Sequence, residues 1–380
     1  MNKRPTEPYL ATYFHKLGRE KGLPIAGNFE LTGRCNFNCP MCYVHTSDPE
    51  NIKKELTAEQ WISLAESAVK NGMIFCLLTG GEPFVRKDFF EIYGALKKMG
   101  VLISINSNGS LLDGEIRQRL LDDPPLRLNV SIYGSSNDTY KNMCGTPSFD
   151  KVIENVKALK KGGIDVRANL SITPYNVDDI EEIIKICNEN NILIKASSYM
   201  YPPIRIGDGE CDRFSRLTAE QSAAATLKWD LSRFTPEEFK LRAESMIKFG
   251  KRPDSDCPTE LDSGVSCRAG STSFWVTYDG KMTPCGMMPT PVTEPMKTGF
   301  EEAWRALTKA TSEIRLPGKC AGCKFKEMCG VCAAVCFSET GSFDKAPEYS
   351  CKQTEHLYRL TLEKYERLKE EESENKKGTD

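Results

Sequence analysis

Cys35, Cys39 and Cys42 stand in the string Cys35-Asn-Phe-Asn-Cys39-Pro-Met-Cys42, a C-x3-C-x2-C spacing. Three thiolates this close in sequence can grip three irons of one cubane cluster and leave the fourth iron without a protein ligand. An open coordination position points to chemistry rather than to a closed structural site. A zinc knot would need a fourth ligand, and the nearby candidate is His45. A second string follows about forty residues later, Phe75-Cys-Leu-Leu-Thr79-Gly80-Gly81-Glu82-Pro83. An apolar run ending in turn residues reads as a buried strand entering a loop. Gly80 and Gly81 suit a backbone that approaches a ligand closely, and Glu82 is an acceptor for an ammonium group.

Together the two strings resemble the radical S-adenosylmethionine (SAM) superfamily. The resemblance implies that the amino and carboxylate groups of SAM chelate the open iron. An electron from the reduced cluster then cleaves the sulfur–C5′ bond, and the 5′-deoxyadenosyl radical abstracts a hydrogen atom from substrate. Thr79, Gly80, Gly81 and Glu82 match the loop that holds the methionyl ammonium. The position before the third cysteine is usually aromatic and touches adenine. Here it is Met41, whose thioether fills the same apolar space. Asn106 and Asn108, in Ile105-Asn-Ser-Asn-Gly109, match a polar strand end facing the ribose. The alternative is an Asn-Gly turn with no ligand. Ser131 matches a serine that contacts the SAM carboxylate, and Arg167 is a candidate for similar work. Their alternatives are a serine buried in a barrel and a surface charge on a strand. Tyr199, Met200 and Tyr201 end the sixth strand and are placed near adenine or substrate, although aromatic clusters more often form core.

The C-terminal half carries a second set of thiols. Twelve residues separate Cys267 from Gly280, and four separate that glycine from Cys285. Then come Cys320-x2-Cys323-x5-Cys329-x2-Cys332-x3-Cys336 and, last, Cys351. The strand-like Ser273-Phe-Trp-Val-Thr-Tyr278 and the Asp279-Gly280 turn predict a hairpin with Cys285 after its second strand. Paired C-x2-C units also build zinc ribbons, the bland alternative. The spacing resembles the SPASM extension of radical SAM enzymes that modify peptides and proteins, with one C-x2-C where that pattern has C-x3-C. The resemblance implies two auxiliary 4Fe–4S clusters, three in all. Cys267, Cys285 and Cys332 would serve the first, with Cys257, Cys336 or nothing as its fourth ligand. Cys320, Cys323, Cys329 and Cys351 would serve the second. Cys76, Cys144, Cys187 and Cys211 lack ligand spacing.

These thiols need a scaffold that presents them. From residue 27 to 205 strands alternate with amphipathic helices. Strands are expected at 27–32, 74–79, 101–106, 127–133, 165–173 and 193–200. Thr57 and Gln60 form a capping box before Trp61, Leu64, Ala65, Ala68 and Val69, which share one helix face. Further faces are Phe89, Ile92, Tyr93 and Leu96; Phe149, Val152, Ile153, Val156 and Leu159; and Ile180, Ile183, Ile184 and Cys187. Such alternation predicts α/β architecture with parallel strands covered by helices. Six units suit a partial (β/α)6 TIM-like barrel, open on one side, with working loops at the strand C-termini. Residues 1–26 are an N-terminal extension. A helical bridge over 206–256 follows the barrel, the first of its two helices capped by Thr218 and Gln221 and the second near 236–249. A small cysteine-rich SPASM domain with a β-hairpin and helices spans 257–352. A C-terminal helix and charged tail occupy 353–380, fraying after about 368.

At 380 residues the chain exceeds one minimal core. Its net charge of −2 gives no signature of a nucleic-acid or membrane partner. There is no signal peptide and no apolar run of spanning length, so a cytoplasmic location is expected. Sixteen cysteines in a reducing compartment favour metal ligation over disulfides, and exposed clusters suit an anaerobe. The function expected is that of a radical SAM/SPASM peptide maturase, forming a thioether or carbon crosslink, an epimer or an oxidised side chain. Its partners would be a peptide substrate, a flavodoxin or ferredoxin as electron donor, and a separate leader-peptide recognition protein. Anaerobic sulfatase maturation is the nearest alternative, but it needs an acid directly after the cysteine matching Cys285, and here that position is Gly286. Oxidation of a small molecule is a third enzymatic reading. A ferredoxin-like electron carrier would have no use for the Thr79–Pro83 loop.

Overall fold

Along most of the first strands apolar and polar side chains alternate, so those strands have one dry and one wet face. Phe29, Leu78, Ile103, Ile105, Leu128, Val130, Ala168, Leu170 and Ile194 are buried. They meet helix residues such as Trp61, Leu64, Ile92, Leu96, Val152, Val156, Ile180 and Ile183 in one core. The opposite face carries Asn28, Glu30, Asn106, Arg127, Asn129, Ser131, Arg167, Asn169 and Lys195. A closed eight-stranded barrel fills its interior with branched apolar side chains. This interior is polar, and it is a chamber wall rather than a core.

The structure is a computed structural model that describes residues 7–44, 48–202, 215–251 and 264–377. Among these, eight strands form one sheet: β1 (Ala26–Glu30), β2 (Phe75–Thr79), β3 (Leu102–Ser107), β4 (Arg127–Ser131), β5 (Val166–Ser171), β6 (Leu193–Ser197), β7 (Ser273–Val276) and β8 (Met282–Thr283). Their order is β6-β5-β4-β3-β2-β1-β7-β8. All neighbours are parallel except β7 and β8. The expected six-strand α/β half barrel is present with strand ends within three residues of expectation. Both capping boxes form, Thr57 with Gln60 and Thr218 with Gln221.

Three features depart from the sequence reading. The hairpin expected inside a separate C-terminal domain instead extends the barrel sheet, because β7 lies parallel to β1 with Asn28 opposite Trp275. Phe274 and Val276 are buried on the helix side, where Phe274 packs on Phe29, Phe300 and Trp304. The N-terminal extension carries a helix, Glu7–Lys21, that is pinned at its far end. His15 Nδ1 bonds Thr272 Oγ1 at 2.8 Å, and Arg19 reaches the Cys267 carbonyl at 3.2 Å. Burial, with Arg268 and Arg19 adding repulsion, pushes the His15 imidazole down to about 4. The final helix runs from Glu348 to Lys377 without ending near 368. It packs Leu362, Tyr365 and Leu368 on Phe239, Ala243 and Ile247 of the helix Pro236–Gly250.

Candidate functional site

The loop after β1 and the loop after β2 are joined backbone to backbone. Gly81 N–H donates to the Thr32 carbonyl at 2.8 Å and Glu82 N–H to the Arg34 carbonyl at 2.9 Å. A side chain at Gly80 would meet Thr32 O at 2.5 Å, and one at Gly81 would meet Arg34 O at 2.3 Å. Gly80 also sits at φ +143°. The glycine pair is therefore required by the approach of the cysteine loop itself, where the sequence suggested the approach of a ligand.

Glu82 is fully buried. Its Oε1 accepts from Phe84 N–H at 3.2 Å and Ser107 Oγ–H at 3.0 Å. Oε2 accepts from Asn108 N–H at 2.7 Å and lies 3.1 Å from the same hydroxyl. This carboxylate thus knits the end of β2 to the end of β3, a role the sequence did not disclose; Ser107 was the missed partner. Burial outweighs these hydrogen bonds and raises its carboxyl to about 7.

Asn108 carries the network to the cysteines. Its Nδ2 donates to Asn36 Oδ1 at 2.8 Å and points at Cys35 Sγ at 3.7 Å, while Phe37 N–H points at the same sulfur at 3.4 Å. Burial pushes the Cys35 thiol up to about 12. Such a thiol keeps its proton until a metal displaces it, and donors aimed at the sulfur are what an iron–sulfur ligand needs. Met41 packs beside Cys35 and Cys39 against the core. Asn106 accepts from Asn129 Nδ2 at 2.9 Å on the polar face, and Ser131 lies opposite Asn169 at the β4–β5 ends. Thr79, Ser131, Asn106, Asn108 and the cysteine loop thus share the C-terminal end of the sheet.

Arg167 is the exception and is a correction. It is the second residue of β5, and it bonds Asp165 at 3.0 Å together with Arg127 at 3.2 Å, at the strand's opposite end. Strand direction, not residue type, removes it from the SAM neighbourhood. Asn169, two residues on along the same face, takes the position level with Ser131.

The remaining thiols form two groups. Cys320, Cys323, Cys329 and Cys351 line one cavity of about 380 Å³. Cys267 and Cys285 line another of about 640 Å³, with Arg19, Asn28, Arg268 and Trp275. Cys332 packs with Cys285 against Met288 and Ala333. Cys336 is fully buried, with Cys320, Cys332 and Cys329 around it. Among the described residues no three His, Cys, Asp or Glu side chains converge on a point that would hold a single metal ion. The thiols surround cavities instead, which suits a polynuclear group. Cys257, Cys211 and His45 lie outside the described residues. Cys76 and Cys187 are core. Cys144 is buried against Cys39.

Residues 29–187 match the family model described as the Radical SAM superfamily. This segment is a radical SAM domain. The protein is therefore an enzyme, and SAM with a 4Fe–4S cluster belongs to the family's chemistry. An AdoMet-dependent heme synthase of Methanosarcina barkeri is 24% identical over 331 residues, 84% of this chain and 94% of that relative. A probable GTP 3′,8-cyclase of Saccharolobus solfataricus is 34% identical over 158 residues, but these are 41% of this chain and 50% of the relative. Among solved structures, Streptococcus suis SuiB bound to its precursor peptide SuiA superposes with a TM-score of 0.65 at 17% identity, covering 92% of this chain and 82% of SuiB. Native anSMEcpe with bound AdoMet gives a TM-score of 0.65 at 16% identity, covering 91% and 99%. These two likenesses extend the shared fold through the C-terminal cysteine region. No helix among the described residues is long and apolar enough to cross a membrane.

Proposed function

We propose that this enzyme cleaves SAM at a cluster held by Cys35, Cys39 and Cys42 and modifies a peptide inside the half barrel. Two further clusters would be held by the cysteines around the two C-terminal cavities. The observation that carries this reading is the placement of thiols at both ends of a polar-faced sheet. Cys35 to Cys42 follow the C-terminal end of β1. Cys285 follows β8, which runs antiparallel to β7 with Trp275 opposite Thr283, so Cys285 lies level with the start of β7. A substrate between the two ends meets Asn28, Asn106, Asn129, Ser131 and Asn169, amide and hydroxyl groups suited to a peptide backbone. When bound, SAM and its cluster supply the hydrogen-abstracting radical. The chain's own part is to orient: Glu82, Ser107 and Asn108 fix the loops beside Cys35, and the polar face holds the substrate.

Sulfatase maturation finds no support at Gly286. A side chain there would meet the Trp275 ring at 2.8 Å, and Trp275 Nε1 is fixed on Glu30 Oε2 at 3.0 Å. The space for an acid after Cys285 is filled by an indole. A second reading, a porphyrin substrate, is favoured by the heme-synthase relative, whose length this chain nearly spans.

The test is anaerobic reconstitution, iron analysis and turnover. About 12 irons per chain are expected from three cubane clusters. With dithionite and SAM, 5′-deoxyadenosine should appear. A short peptide encoded beside the gene, where one is found, should lose two hydrogens on crosslinking or oxidation, or take up deuterium from heavy water on epimerisation. An unchanged peptide together with a converted iron porphyrin would replace the peptide reading by the porphyrin one.

A further inference from the structure

Lys195 is the third residue of β6, the edge strand of the sheet. Its neighbours Ile194 and Ala196 pack into the core under the covering helices. The two-residue period of a strand therefore turns Lys195 to the polar face. There it lies opposite Asn169 of β5, and Asn169 lies opposite Ser131 of β4. Ser131, Asn169 and Lys195 form one row across three strands, with Lys195 two strand spacings, about 10 Å, from Ser131. Past the end of β6 the chain turns to the C-terminal thiols. Tyr199 donates to Glu339 at 2.7 Å, and Tyr201 packs beside Cys285 and Cys332.

The other charges on this face are occupied. Arg127 and Arg167 both bond Asp165, at 3.2 and 3.0 Å, and Glu30 accepts from Trp275 Nε1 at 3.0 Å. Lys195 is exposed and has no ion pair or hydrogen bond from its side chain among the described residues, and the Asn169 amide has none either. A lysine on an edge strand can serve only to keep a foreign strand from pairing. This one differs in standing on the polar face beside a second side chain without a partner. An ammonium and an amide N–H one strand spacing apart are both donors, and a carboxylate offers two oxygens to accept from them.

We propose that Lys195, with the Asn169 amide, binds a carboxylate of the substrate and so selects an acidic one. The inference rests on the reading that the polar face holds the substrate. The carboxylate belongs either to an acidic residue or C-terminus of a peptide or to a side chain of a porphyrin, and the chemistry recognised is the same.

The experiment measures equilibrium binding to the reconstituted, SAM-loaded, unreduced full-length enzyme and to Lys195→Gln and Lys195→Arg. The probes are an iron porphyrin with carboxylate side chains and a short acidic peptide encoded beside the gene, where one is found. Each is paired with a form whose carboxylates are converted to amides. The probe that binds the wild type names the source of the carboxylate. Lys195→Gln should weaken the acid form of that probe roughly ten-fold, as loss of a charge-assisted hydrogen bond requires. Lys195→Arg should restore most of that loss, and the amide form should bind wild type and Lys195→Gln alike. If no probe binds the wild type, the substrate reading fails and the carboxylate site with it. If a probe binds and Lys195→Gln holds its acid form as tightly, or weakens acid and amide forms equally, the substrate reading stands and the role of Lys195 is refuted. A weaker affinity of Lys195→Gln for SAM itself would place the lysine on the cofactor and overturn the proposal.

Discussion

Replacing Glu82 by glutamine should remove a pH dependence of stability at the heart of the site. Burial raises the Glu82 carboxyl from 4.5 to about 7. Between these values the unfolded chain ionises first, so it binds fewer protons than the native state. Stability therefore falls as pH rises, with the favourable contribution complete below 4.5 and lost through about 7. Integrating from pH 5 to pH 8 gives a loss of about 2–3 kcal/mol in the wild type. Glutamine cannot titrate and should not show it. At pH 5 the native carboxyl is protonated, yet its hydroxyl oxygen can still accept, whereas the amide nitrogen of glutamine cannot. With the glutamine oxygen on Asn108 N–H, that nitrogen faces Phe84 N–H and leaves the Phe84 donor unsatisfied, at about 1–3 kcal/mol. Glu82→Gln should thus be the less stable protein at pH 5 and match or exceed the wild type at pH 8. Urea unfolding of both cluster-free proteins at the two pH values measures this. A stability difference that is the same at pH 5 and pH 8 would refute the buried, titrating carboxyl.

Two other perturbations test neighbouring parts. Changing Cys35, Cys39 and Cys42 together to Ala should abolish 5′-deoxyadenosine release while the C-terminal iron remains; equal release from both proteins would remove these cysteines from the chemistry. Gly286→Ala drives a methyl to within 2.8 Å of the Trp275 ring. Overpacking of this kind costs about 1–3 kcal/mol, so the denaturation midpoint should fall and the near-UV dichroism of the indole should change. An unaltered midpoint would mean that Trp275 moves aside freely.

The parts of this fold visible in the sequence are those governed by local rules. Thr57 and Gln60 announce a helix because a capping box is a three-residue event. The alternation through Ile103, Ile105, Leu128 and Val130 announces strands because period two is local. What stayed hidden depends on partners distant in the chain. Nothing in Ser273–Val276 says that it pairs with Ala26–Phe29 rather than closing a private hairpin. Nothing around Glu82 says that Ser107 and Asn108 will occupy both its oxygens. Arg167 was misplaced by a smaller step: the strand was found, but a residue near its start lies at the wrong end of the sheet. The Cys35–Cys42 spacing was informative because ligand spacing within one loop is again a local property.

The position of β7 bears on how the two thiol sets work together. Had the hairpin belonged to a free-standing domain, the distance from Cys285 to the Cys35 loop would vary with domain motion. Built into the sheet, β7 shares the register of β1, and Cys285 lies level with Ala26 while the Cys35 loop begins beyond Glu30. Four residues of strand separate those levels, about 13 Å at 3.3 Å per residue. That span is set by backbone hydrogen bonds, and the Trp275–Glu30 bond ties the two strands again on the polar face. On the proposed function, a substrate held on this face would lie between the Cys35 loop and the thiols on the far side. On that proposal the sheet itself would keep the substrate within reach of both.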